Sequence, residues 1–155
     1  MSMIRGIEAR AALALLRLTM SALFVWVFFE NLGKRLYSPG GYAGLIQYYL
    51  EKGTAPAAWK SLMATAAAHA SIAAPLQGLA EISFGVVLVL GLFTRPVALL
   101  ACGFLTSLWI SEWGTAWVWE LLTPMMVCLA LALAPSPQTW SLDSWLARRF
   151  PRYPL

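Results

Sequence analysis

Residues 75–93, PLQGLAEISFGVVLVLGLF, decide the fold class. Apart from Gln77, Glu81 and Ser83 every side chain here is apolar or absent, and the run is close to the roughly 20 residues that carry a helix across a ~30 Å hydrocarbon core. Glu81 stands inside it. An ionisable group at that depth costs roughly 2.5–3.5 kcal/mol on insertion scales, so it faces a protein interior, a partner charge or a small molecule.

Working outward, the rest of the chain repeats the apolar pattern. Of 155 residues, 60% are apolar and 12% charged, against about 25% charged in soluble domains. Further spans are predicted at about residues 11–29, 96–111 and 117–134, the third of the four being short enough to extend through Trp113 or to cross with little tilt. A spanning sheet would need closed pairing and a period-two pattern that the chain lacks. The expected fold is therefore all-α, a four-transmembrane-helix bundle forming a single membrane domain over residues 1–155.

Topology follows from arginine and lysine in the short flanks. Arg5 and Arg10 precede the first span, Arg95 separates the second from the third, and Arg148, Arg149 and Arg152 follow the fourth. Residues 112–116 contain a glutamate and no cation. Both termini are expected in the cytoplasm, with the chain integral to a prokaryotic-type cytoplasmic membrane. Lys34, Arg35, Lys52 and Lys60 in the first connection oppose this, but its length weakens the rule and Glu30 and Glu51 offset part of the charge. The first apolar run exceeds a secretory signal core and reads as an uncleaved span. The net charge of +4 is a topology signal; no basic stripe with interleaved aromatics marks a nucleic-acid partner.

The outer segment, residues 30–74, is too long for plain loop. After the turn cluster Ser38-Pro39-Gly40-Gly41, the residues Tyr42, Leu45, Ile46, Tyr49 and Leu50 recur at helical spacing opposite Gln47, Glu51 and Lys52. This predicts an amphipathic helix in the outer interface, ended by Gly53-Thr54-Ala55-Pro56. Residues 59–74 read as an alanine-rich outer extension of the second span, kinked at Pro75. Ser141 caps a short interfacial helix in the tail, 141–155, which Pro151 and Pro154 stop.

Gln77, Glu81 and Gly85, spaced four apart, share one helix face with Gly78 beside them, a register that lets a helix or ligand come close. Glu81 either locks the bundle through an internal hydrogen bond or ion pair, or serves a ligand and moves protons. Glu120 opens the fourth span, and with Glu30, Glu81 and Glu112 it makes four glutamates approaching the outer half. Trp109, Trp113, Trp117 and Trp119 cluster at the outer turn, as an aromatic belt or as walls for a flat ligand. Arg17 in the first span snorkels or pairs with an acid on another span. His69 is the single histidine, which excludes a zinc or bis-histidine haem site within the chain and leaves it a weak pigment-ligand candidate. Cys102 and Cys128 lie near the cytoplasmic ends without a Cys-x-x-Cys motif and read as helix-packing residues. Nucleotide fingerprints are absent.

Several stretches carry a family resemblance: Phe28-Phe29-Glu30-Asn31-Leu32-x-Lys34, Gly41-Tyr42-Ala43-Gly44-Leu45-Ile46, Pro75-Leu76-Gln77, Glu81-x-x-Phe84-Gly85, Gly91-Leu92-x-Thr94-Arg95-Pro96, Trp119-Glu120-Leu121-Leu122 and residues 140–143. Together they resemble the DoxD branch of the DoxX family, small four-span membrane proteins. The resemblance implies kinship with the membrane subunit of thiosulfate:quinone oxidoreductase, which acts with a DoxA-like partner to oxidise thiosulfate to tetrathionate and pass electrons to quinone. On that expectation Glu81 and Glu120 exchange protons with quinone oxygens, near Gln77. Trp113, Trp117 or Trp119 packs on the ring, and Lys34 and Arg35 attract an anionic donor. The competing expectation is a non-catalytic accessory subunit of a larger respiratory or photosynthetic complex, holding lipid, quinone or pigment. A solute transporter is the weakest of the three, because no inverted repeat is present.

Overall fold

The computed structural model describes residues 2–134 and 139–150, with side chains from residue 9 onward. Arg5, Arg152, Pro151 and Pro154, used above for topology and for the end of the tail, lie outside the described side chains. Among the described residues the chain forms seven helices: α1 (Ser2–Gly33), α2 (Pro39–Lys52), α3 (Ala57–Ala68), α4 (Ala70–Leu90), α5 (Thr94–Ser111), α6 (Val118–Leu133) and α7 (Leu142–Arg149).

Three of these are long and apolar enough to cross a membrane: Ala9–Gly33 within α1, then α4 and α5. The apolar α6 is shorter, about 24 Å at 1.5 Å per residue. α1 packs most extensively on α4, and α5 on α6, while α4–α5 and α1–α6 contacts close the ring. Met20, Phe24, Leu88, Ala98, Ala101, Leu105, Cys128 and Leu131 fill its centre. Close approach of α1 and α4 depends on Gly85: a Cβ there would meet Val25 Cγ2 at 2.7 Å. Ser21 Oγ donates to the Gly85 carbonyl at 2.7 Å across the same contact.

The first connection folds back over one end of this ring. Ser38 caps α2, its Oγ accepting from Gly41 N, and Pro39 occupies the first turn, where a missing N–H costs nothing. α2 forms where periodicity places it. Tyr42 and Ile46 are buried with Met63, Ala70 and Ala74, so protein takes part of its apolar face. The bend expected at Pro75 falls instead at His69, which separates α3 from α4 with φ −109° and ψ 33°. Pro75 removes only the bond to the carbonyl one turn back, and α4 runs through it.

The opposite end is closed by backbone capping. Gly91 ends α4 in the left-handed region, φ 63°. Arg17 donates to the Leu88 carbonyl, to Val89 O at 3.0 Å and to Trp140 O at 2.7 Å. Asp143 accepts from the first N–H groups of α5, Phe93 N at 2.9 Å and Thr94 N at 3.0 Å. Arg95 Nε donates to Ala132 O at 3.1 Å, at the end of α6. Charges thus sit where helix dipoles favour them. Among the described residues Arg17 meets no acid on another span; its hydrogen-bond partners are carbonyls.

Candidate functional site

The register Gln77–Glu81–Gly85 determines what α4 offers to its neighbours. Gly85 and Gly78 leave gaps above and below Glu81. α1 enters the first, and the ring of Tyr37 enters the second, where a Cβ on Gly78 would lie 3.0 Å from it. Tyr37 reaches α4 because the chain reverses after α1. Leu36 N donates to Asn31 O at 2.9 Å, Arg35 takes a left-handed φ of 58°, and Phe28 stacks on the Tyr37 ring at 5.4 Å.

Glu81 is 1% exposed and holds three hydrogen bonds from neutral donors. Its Oε2 accepts from the Tyr37 hydroxyl and from Asn31 Nδ2 at 3.1 Å. Oε1 accepts from Gln77 Nε2 at 3.0 Å. A carboxylate has about four acceptor positions, so one on Oε1 remains open. Burial, then the bond to Glu81, pushes the Tyr37 hydroxyl well above its ordinary value, so it stays a donor.

Beside Glu81 lies a cavity of about 900 Å³. Gln77 and Glu81 of α4 and Asn31 of α1 make one polar wall, and Glu112, Ser111 and Glu120 make another at the α5–α6 rim. Phe24, Tyr42, Tyr49, Trp59 and Phe104 are among the aromatic residues between them. Tyr49 OH donates to Glu112 Oε1 at 3.0 Å, and Trp59 Nε1 donates to Ser111 Oγ at 2.9 Å. Burial pushes the Glu112 carboxyl above its ordinary range; the Tyr49 bond opposes the rise and Glu120 adds to it. The lid of α2 and α3 is fixed to this rim by Thr54 N donating to Trp113 O at 2.7 Å. Lys60 Nζ holds the end of α2 through Leu50 O at 2.9 Å and Gly53 O at 2.8 Å.

Of the residues singled out in the sequence, Gln77, Glu81, Glu120 and Lys34 line this cavity, as does Glu112. Glu30 does not; it pairs with Lys34 at 2.5 Å on the exposed surface. Arg35 makes the turn with its backbone, and its exposed side chain lies outside the cavity lining. Trp113 stacks on Trp109 at 5.3 Å, and Trp117 and Trp119 are 76% and 68% exposed, all three outside the cavity lining. His69 is exposed at the α3–α4 break, with Nδ1 3.0 Å from Thr65 O. Cys102 and Cys128 are free thiols, and Cys128 is wholly buried in the central core. No cluster of His, Cys, Asp or Glu suited to a metal occurs among the described residues. Sequence reasoning missed Tyr37, Asn31, Tyr49 and Trp59. Gly78 beside Glu81 was the available signal, since an absent side chain next to a buried acid marks where another residue enters.

Three long apolar helices and a buried acid beside a mixed polar and aromatic cavity define a small integral membrane protein with a ligand-sized internal site. The chain belongs to the DoxX family, whose model matches residues 12–113, from within α1 to just past the end of α5, with most of the cavity lining. No curated protein and no solved structure matches it.

Proposed function

We propose that this DoxX-family protein is a DoxD-like membrane subunit that binds quinone in the cavity beside Glu81. It acts with a partner subunit in electron transfer from thiosulfate, or a related donor, to quinone. The observation that carries this reading is the buried Glu81 carboxylate, one acceptor position unspent, beside a cavity within the size range of small-molecule sites. Quinone supplies a two-electron, two-proton acceptor when bound. A flat ring with oxygens at opposite edges suits an aromatic-lined space with two polar walls.

In this reading Glu81 Oε1 passes a proton to or from a ligand oxygen, and Gln77 and Asn31 hold the carboxyl in place. Glu120, exposed on the rim, exchanges protons with water. Ring contacts fall to Tyr42, Tyr49, Trp59 and Phe104. Three carboxylates against one lysine disfavour an anion inside the cavity, so thiosulfate is oxidised on the partner, with Lys34 and Arg35 contributing only to its approach. α6 makes the fourth crossing, α2 lies at the outer face and both termini are cytoplasmic.

The test is to purify the protein gently, extract and identify bound quinone, and assay thiosulfate-dependent quinone reduction with co-purifying subunits. Bound quinone and a loss of turnover on the order of 100-fold in folded Glu81→Gln support the proposal. Full turnover in that variant overturns the proton role. Stable association with a larger respiratory or photosynthetic complex, without thiosulfate activity, supports the accessory reading instead.

A further inference from the structure

A second concavity, about 780 Å³, opens at the other end of the bundle, between the last turn of α4 and α7. Arg10 and Arg148 come to it from opposite ends of the chain, and among the described residues no carboxylate lines it. The neighbouring Asp143 is committed to the N–H groups of Phe93 and Thr94. One wall is apolar and exposed, made by Val89, Leu90 and Trp140. Thr139 also lines the groove, and its buried Oγ1 has no hydrogen-bond partner among the described residues.

We propose that this groove binds the headgroup of an anionic phospholipid from the adjoining leaflet. The two guanidinium groups take phosphate oxygens, for which their paired donors are suited. Thr139 Oγ1 supplies a further donor, and the exposed wall of α4 receives the acyl chains. Free phosphate would satisfy the arginines but leave that wall uncovered. The site lies at the far end from the Glu81 cavity and does not depend on it.

Native mass spectrometry of the full chain, released from micelles containing phosphatidylglycerol or phosphatidylcholine, tests this. Phosphatidylglycerol is expected to remain bound preferentially. At the energy typical of a basic residue near an anionic surface, its retention should fall roughly five-fold for Arg10→Gln or Arg148→Gln and roughly thirty-fold for the pair. Phosphatidylcholine retention should not change, and millimolar inorganic phosphate should not displace the lipid. Equal retention of the two lipids, indifference to the double variant, or displacement by phosphate overturns the proposal. Should the double variant fail to fold, Thr139→Val decides: weaker phosphatidylglycerol retention supports the site and unchanged retention overturns it.

Discussion

Arg17 and Glu81 are buried to the same degree, 0% and 1% exposed, in two helices packed extensively on each other, yet their surroundings differ in kind. Arg17 donates to three carbonyls at the end of α4 and the start of the tail, with the charge of Asp143 nearby. The space around it is filled: a Cβ on Gly91 would lie 2.6 Å from its Nη1. Glu81 meets neutral donors on one side and a cavity on the other. A charge in a membrane helix therefore does not by itself mark a ligand site. Unspent hydrogen-bonding capacity next to open volume does.

The comparison breaks first if Arg17 is dispensable. Arg17→Met leaves buried carbonyls and Asp143 without their cation, a loss of about 3–5 kcal/mol that should lower Tm in detergent by about 10 °C. A change under about 2 °C would contradict its structural role. Gly91→Ala separates crowding from charge: its left-handed φ and a 2.5 Å approach to Ser141 Cβ predict about 2 kcal/mol of destabilisation, read by the same melt. Tyr37→Phe keeps the ring against Phe28 and removes one donor to Glu81. The expected cost is about 1 kcal/mol, at the low end for an unpaired buried acceptor because two donors remain.

Glu112 offers the smallest effect and a defined sign. Its folded-state pKa lies above the ordinary 4.5, so the folded protein keeps this proton to higher pH than the unfolded chain. The resulting stability is complete below 4.5 and is lost as pH rises through the folded value. Glu112→Gln should melt with the wild type below that pH and later than it near neutrality, by no more than about 2 °C. Parallel profiles would show a solvated carboxylate.

Much of this was legible beforehand, for particular reasons. The face shared by Gln77, Glu81 and Gly85 follows from helical spacing, and the approach of Glu112 and Glu120 follows from the order of the spans. The donor from Tyr37 was not legible, because it depends on a reversal governed by the left-handed Arg35, and that from Asn31 depends on which faces of α1 and α4 meet. Arg17 was read as snorkelling or pairing with an acid, whereas its hydrogen-bond partners are backbone carbonyls, which no residue pattern displays. The helix break at His69 lies in an alanine-rich run without a breaker, and the nearby proline drew the expectation to the wrong position. The tryptophans announced a cluster but not the side of the α5–α6 turn they face.

Glu81 and its cavity are tested most directly by infrared difference spectra in the carboxyl C=O stretching region as a water-soluble quinone is added to the purified protein. A quinone-induced carboxyl band present in the wild type and absent from folded Glu81→Gln is the expected result. The same band surviving in the variant, or no carboxyl response at saturating quinone, would place Glu81 with Arg17 as a purely structural charge.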